Sequence, residues 1–123
     1  MNVVDSSGWL EYFANGPHAE HFAKPLQDVD HLIVPTITLF EVFKVVLRER
    51  DENDAFEAIA LMKQGKEVGL SSKLAIESAR NSLIYKIPMA DSIILTTAQS
   101  YQAIIWTQDE DFEDLDNVRY FPK

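Results

Sequence analysis

Four carboxylates in well-separated segments are the residues of this chain whose placement could do chemistry: Asp5, Glu41, Asp91 and Asp109. Asp5 follows the apolar run "NVV", and Glu41 lies in the first turn or two of the helical stretch after "HLIVP". Asp91 opens the stretch "MADSIILTTAQSYQ", and Asp109 comes two residues after the end of "AIIWT". Asp109 also belongs to the most acidic part of the chain, where six of the ten positions from Thr107 to Asp116 are Asp or Glu. Carboxylates gathered without a cation repel one another, raise each other's pKa and destabilise the fold. A hard divalent ion removes that penalty: Mg²⁺ and Mn²⁺ take oxygen ligands and keep several waters, using one or two carboxylates directly and others through water. Each acid also has an ordinary explanation. Aspartate is a favoured helix N-cap, acids suit first turns, and Thr38 with Glu41 fits a capping box. Taken singly the caps suffice; a metal centre requires that the four converge.

Whether they converge depends on the elements that carry them. Short apolar runs at 2–4, 31–35, 67–70, 103–107 and 118–121 read as strands, most of them without polar alternation. Between them, apolar residues at helical spacing predict helices over 7–15, from His18 to about Val29 with Pro25 weakening it, 36–50, 52–65, 71–86 and 89–102. Gly16-Pro17 and Ile87-Pro88 read as breaks, and serines at 71 and 72 as helix caps. Strands that alternate with helices and are apolar on both sides predict an α/β three-layer sandwich. Its central sheet would have about five short, mostly parallel strands. In such a sheet ligands bind beyond the carboxyl ends of the strands. All four acids fall at that edge: Asp5 and Asp109 just after strands, Glu41 in a helix leaving one, and Asp91 where a helix that runs back to a strand begins.

Length and composition narrow the field. A chain of 123 residues with 46% hydrophobic and 25% charged residues suits one domain, 1–123, with one core. The absence of cysteine excludes a thiolate metal site and a thiol nucleophile, and fits a reducing cytosol, so a cytoplasmic location is expected. The start "MNVVDSSGW" has neither the basic nor the apolar region of a signal peptide, and no apolar run approaches a membrane span. His18, His21 and His31 lie in the second helix or at the start of the second strand, which makes a histidine acid–base pair improbable. A net charge of −9 opposes nucleic-acid binding by bulk electrostatics, but the acid is concentrated at the two ends of the chain. Residues 44–86 carry eight bases against seven acids. Lys44, Arg48 and Arg50 follow Glu41, and Arg80 and Lys86 precede Asp91, where they could flank the acidic centre and contact phosphates. Lys63, Lys66 and Lys73 read equally well as ordinary solvated positions.

The order and wording of four segments resemble the PIN-domain ribonucleases, in particular the small toxins of the VapC type. "VVDSSGWLEYF" (3–13) is similar to that family's opening strand, metal-binding aspartate and helix. "PTITLFEVFKVV" (35–46) resembles its proline-ended strand and glutamate helix, and "IPMADSIILTTA" (87–98) its Ala-Asp helix start. "IIWTQDEDF" (104–112) is similar to its strand followed by Thr-x-Asp-x-Asp-Phe. Each segment alone is weakly specific; the four in order cover essentially the whole chain. The resemblance implies that Asp5, Glu41, Asp91 and Asp109 surround one or two Mg²⁺ or Mn²⁺ ions and cleave RNA, with Asp5, Asp91 and Asp109 as metal ligands. Ser7 and Thr107 match polar positions that orient the carboxylates, and Asp111 matches a second aspartate ranked below Asp109. Phe112 is expected to anchor its loop in the core rather than to stack on a base. The resemblance further implies a small antitoxin protein as partner and a homodimer. Trp9, Tyr12, Phe13, Phe22, Phe40, Phe43 and Phe56 are more large side chains than half of a chain this small buries, leaving room for an apolar docking groove.

Two other readings compete. A phosphoacceptor receiver domain would need an acidic pair after the first strand, an aspartate after the third and a lysine near the end of the fifth. Here Asp5 has no acidic neighbour, the third strand ends in "GLSS" and only Lys123 follows the last. A non-catalytic PIN-like module for protein binding would tolerate loss of carboxylates, yet all four are present. Four glycines arranged without a G-x-G-x-x-G exclude a dinucleotide-binding fingerprint.

Overall fold

Strands with apolar side chains on both sides need helices on both faces of their sheet, and the chain supplies them. The computed structural model describes residues 1–123. In chain order come β1 (Asn2–Val4), α1 (Ser6–Phe13), α2 (Ala19–Gln27), β2 (Leu32–Pro35), α3 (Thr36–Glu49) and α4 (Glu52–Met62). There follow β3 (Lys66–Val68), α5 (Ser72–Tyr85), α6 (Met89–Ser100), β4 (Ile104–Thr107) and β5 (Val118–Tyr120). Single 3-10 turns occupy Val29–His31 and Glu110–Phe112.

The sheet has the order β3-β2-β1-β4-β5, and every neighbouring pair is parallel. Val3 pairs with Ile33 and Ile105 in register, and Val4 with Trp106. Side chains alternate across the pleat. Val4, Leu32, Val34 and Trp106 therefore face one way, into a core with Trp9, Phe22, Val42 and Met62 from α1, α2, α3 and α4. Val3, Ile33 and Ile105 face the other way, onto Ile94, Leu95 and Ala98 of α6, with Ile87 and Phe112. The chain builds β1, β2 and β3 outward on one side and then returns to lay β4 on the other side of β1. That reversal leaves a crevice beyond the carboxyl ends of β1 and β4, where ligands bind in open parallel sheets.

Local chemistry decides where the helices start. The strand β2 passes into α3 without a loop: Pro35 has no N–H to satisfy and sits at φ −62°, ψ 133° as the N-cap. The capping box expected from Thr38 and Glu41 does not form. Helix α3 has already begun at Thr36, so the Thr38 hydroxyl donates back to the Pro35 carbonyl at 2.7 Å. Glu41 is thereby free of the cap and available elsewhere. At the other break, α5 ends on Lys86 in the left-handed conformation (φ 57°). The Ile87 N–H then donates to the Ser82 carbonyl at 3.2 Å, and Pro88 caps α6. Helix α2 tolerates Pro25 near its end and stops at Gln27, two residues short of the expected limit.

Candidate metal centre

Asp5 leaves β1 and becomes the N-cap of α1. Its Oδ1 accepts the Gly8 N–H at 3.1 Å and the Ser7 hydroxyl at 2.7 Å. Gly8 permits this tight turn, because a Cβ there would stand 2.6 Å from Val4 Cγ1 and 2.8 Å from the Phe22 ring. The same hydrogen-bond system crosses to the loop after β4. Ser7 Oγ accepts the Gln108 N–H at 3.3 Å, and Thr107 Oγ1 accepts the Asp109 N–H at 2.8 Å. The Ser7–Gln108 bond ties the two loops across the crevice, and Thr107 fixes the start of the second. Asp109 caps the 3-10 turn that follows, its Oδ1 accepting the Asp111 N–H at 2.9 Å. Phe112 is fully buried and packs with Ile94, Ile105 and Val3, which makes it the expected anchor of this turn.

Asp91 lies in the first turn of α6. One carboxylate oxygen from each of Asp91, Asp109 and Asp111 falls within 4.8 Å of the others. Asp5 is only 2% exposed and lies outside this closest group, yet its charge reaches both Asp91 and Asp109. Glu41 stands apart: its Oε1 accepts the Ser6 hydroxyl at 2.6 Å, which links the second turn of α3 to the first residue of α1. Asp111 enters the tight group although the sequence ranks it below Asp109. The usable signal was the Asp-x-Asp spacing across one 3-10 turn, where side chains two apart fold back toward the capping residue. Ser6 was not singled out by sequence, since a partner 35 residues away leaves no local trace.

The electrostatics follow from burial and crowding. Burial pushes the Asp5 carboxyl up to about 6, against hydrogen bonds from Ser7, Gly8 and Thr107 that pull it down; the Asp109 charge adds to the rise. Asp91 is pushed up to about 8, first by burial and then by the charges of Asp109, Asp111 and Asp5. At neutral pH Asp91 therefore holds a proton unless a cation replaces it, whereas Asp5 is mostly a buried charge there. The donor set is all carboxylate oxygen, with no nitrogen or sulfur, which fits a hard divalent ion such as Mg²⁺ or Mn²⁺.

Of the basic positions, Lys86 lies just before the Pro88 cap of α6, at the edge where Asp91 begins, and Arg80 lies further back on α5; both are exposed. Lys44 is exposed three residues beyond Glu41, its ammonium 5.9 Å from the centre of the Phe40 ring. Arg48 pairs with Glu49 at 3.0 Å and Arg50 with Asp54 at 3.6 Å. They lie seven and nine residues beyond Glu41, about 10–14 Å along the helix axis. The structure does not bring those two to the carboxylates.

A parallel sheet in this order, with acids at its switch point, defines a known class. Residues 3–118 match the PIN domain family, and the chain belongs to it. Among solved structures, a toxin–antitoxin complex from Klebsiella pneumoniae superposes with a TM-score of 0.83 at 20% identity, covering 100% of each chain. VapC20 of Mycobacterium tuberculosis, described as a toxin that cleaves the sarcin–ricin loop, gives 0.81 at 13% identity, covering 96% of this chain and 97% of that one. FitAcB of Neisseria gonorrhoeae gives 0.73 at 19%, covering 99% and 98%. At these identities the likeness is one of fold. No curated protein sequence matches the chain. No helix is long and apolar enough to cross a membrane.

Proposed function

We propose that this chain is a divalent-metal-dependent endoribonuclease and the toxin of a toxin–antitoxin pair. The observation that carries the proposal is the group Asp91, Asp109 and Asp111, three carboxylates within 4.8 Å of one another at the switch point of a PIN sheet, with Asp5 beside them. Asp91, Asp109 and Asp5 would hold Mg²⁺ or Mn²⁺, with Asp111 completing the set. Such an ion supplies charge stabilisation to the phosphodiester and a more acidic water as nucleophile. The protein's own part is orientation. Ser7 and Gly8 fix Asp5, the Asp111 N–H fixes one oxygen of Asp109, and Ser6 holds Glu41. Lys44, Arg80 and Lys86 are the exposed cations best placed to meet RNA phosphates, giving binding that weakens as salt rises.

The partner reading rests on a groove of about 400 Å³ between α1, α3 and α4, with Leu10, Phe13, Val46, Ala58 and Leu61 along it. Glu49, Asp54 and Glu57 also line it, with Arg50 as the one cation among them, paired to Asp54. An amphipathic antitoxin helix with basic flanks has the complementary chemistry, and the Klebsiella structure of the same fold is a toxin–antitoxin complex. Exposed Ile76, Leu83 and Ile84 on α5 favour a homodimer. The test is cleavage of single-stranded RNA by purified protein. Activity should require Mg²⁺ or Mn²⁺, vanish in chelator and fall to background in Asp91→Asn. Undiminished cleavage by that variant would rule out this centre.

A further inference from the structure

Beside the carboxylates is a second cleft, of about 540 Å³, that shares Asp109 with them and is walled further by Ser7, Gln108, Glu110, Tyr120, Pro122 and Lys123. Its size lies in the range of roughly 300–1,000 Å³ typical of small-ligand sites. Gln108 is 8% exposed, and its Oε1 is buried without a hydrogen-bond partner. Buried amide oxygens are almost always paired, so an orphan one on a residue that lines a cleft points to a ligand there. The backbone around it is held firmly. The Gln108 N–H is bonded to Ser7, the Thr107 carbonyl accepts the Phe121 N–H at 2.9 Å, and Thr107 pairs with Tyr120 across β4 and β5. The amide can still turn about its last, soft torsion, exchanging donor and acceptor ends.

We infer that this cleft is the subsite for one unstacked nucleobase next to the scissile phosphate, with Gln108 reading the base edge and Tyr120 offering a face to stack on. The inference rests on the nuclease function proposed above. Charge selects the base over the backbone: Asp109 and Glu110 line the cleft and repel a phosphate, and Lys123 is the single cation on its wall. A carboxamide presents one donor beside one acceptor, the complement of adenine on both of its free edges, whereas guanine, cytosine and uracil match it only on their Watson–Crick edges. The anionic surroundings also favour an exocyclic amine over a carbonyl, and a purine covers more of the Tyr120 ring. The base is therefore adenine. A bound adenine supplies the buried amide oxygen with a hydrogen-bond partner.

The experiment is cleavage of a pool of single-stranded RNAs with a randomised centre, with sequencing of the product ends, by wild type, Gln108→Ala, Gln108→Glu and Tyr120→Leu. Wild type should favour adenine at one position flanking the cut by roughly tenfold or more, the discrimination of one good bidentate contact. Both Gln108 variants should bring that ratio close to one while preferences at other positions persist. Gln108→Glu keeps the shape of the side chain, so its loss of discrimination reports the amide rather than the fold. Tyr120→Leu should raise KM about tenfold for all four bases, as loss of a stacking face does. Absence of cleavage by wild type removes the nuclease function and the subsite with it. Cleavage with the same end profile in wild type and Gln108→Ala removes the subsite alone. A guanine or pyrimidine preference in wild type overturns the adenine assignment.

Discussion

Replacing Asp5 by asparagine should stabilise the metal-free protein while destroying its activity. Asp5 is buried, and burial lifts its carboxyl from 3.8 to about 6. A carboxyl whose pKa is raised on folding adds stability that is complete below the unfolded value and is lost as pH rises through the folded one. The window is therefore pH 3.8 to about 6. Above it, folding must bury a charged Asp5 at a cost of about 3 kcal/mol, the free energy of a two-unit shift. Asparagine keeps the oxygen that accepts from the Gly8 N–H and the Ser7 hydroxyl, so the cap of α1 survives while the charge is gone. In chelator at pH 8, Asp5→Asn should exceed wild type by up to about 3 kcal/mol, or very roughly 10 °C in melting temperature for a chain this size. At pH 4.5 about 1 kcal/mol of the gap should remain, since wild type is then largely protonated when folded. Mn²⁺ should raise the midpoint of wild type in proportion to binding and leave the variant nearly unmoved. Thermal melts at both pH values, with and without Mn²⁺, decide the matter. A variant less stable than wild type at pH 8 in chelator, or a gap independent of pH, would show that Asp5 is not a buried charge awaiting a cation.

Cation binding at pH 7 should release a proton, because Asp91 is pushed up to about 8 in the metal-free protein; calorimetric titration in buffers of different ionisation enthalpy measures the release, which should fade above pH 9. Phe112→Ala should cost about 3–5 kcal/mol in chemical denaturation, the toll of emptying a fully buried aromatic site, and should weaken Mn²⁺ binding because the Asp109 turn loses its anchor. Gly8→Ala forces a methyl group into Val4 and Phe22, so it should lower stability by about 1–3 kcal/mol in the same measurement. Glu41→Gln keeps an oxygen for the Ser6 hydroxyl, and RNA cleavage should fall about 10- to 100-fold, less than the loss in Asp91→Asn. An equal loss in the two variants would place Glu41 among the direct ligands.

The layered fold was legible because its strands carry apolar residues at consecutive positions: Val3 and Val4, or Ile33 and Val34, serve opposite cores, and only a sheet covered on both faces needs that. Asp5, Asp91 and Asp109 were legible as candidates because their positions follow from strand ends and a helix start, which a sequence displays. What depended on contacts between distant residues was hidden. The Ser6–Glu41 bond spans 35 positions, and the capping box failed because β2 runs directly into α3, a junction that Pro35 conceals by serving as strand end and helix cap together. The apolar count pointed correctly to an excess: Phe40 and Phe56 are exposed. The basic rim was read from chain proximity alone, and for Arg48 and Arg50 the helix rise carries the side chains away from the acids that precede them.

The contest between cap and ligand, open for each aspartate in the sequence, resolves differently for each. Asp5 and Asp109 are caps, and in the proposed centre each would serve as a ligand as well. One oxygen of each accepts a backbone N–H, which sets the carboxylate's direction. Asp91 has no such partner: Pro88 caps its helix without a side-chain bond, and every influence on Asp91 raises its pKa. It stands higher than Asp5, at about 8 against about 6, although Asp5 is the more deeply buried. Donor bonds on Asp5 and the like charges crowding Asp91, more than depth, therefore separate the two. The fold supplies local hydrogen bonds for two carboxylates of the centre and leaves the third to be satisfied by a proton or a cation. In the proposed centre, occupancy is thus coupled most strongly to the ionisation of Asp91, the residue whose loss should lower RNA cleavage most completely.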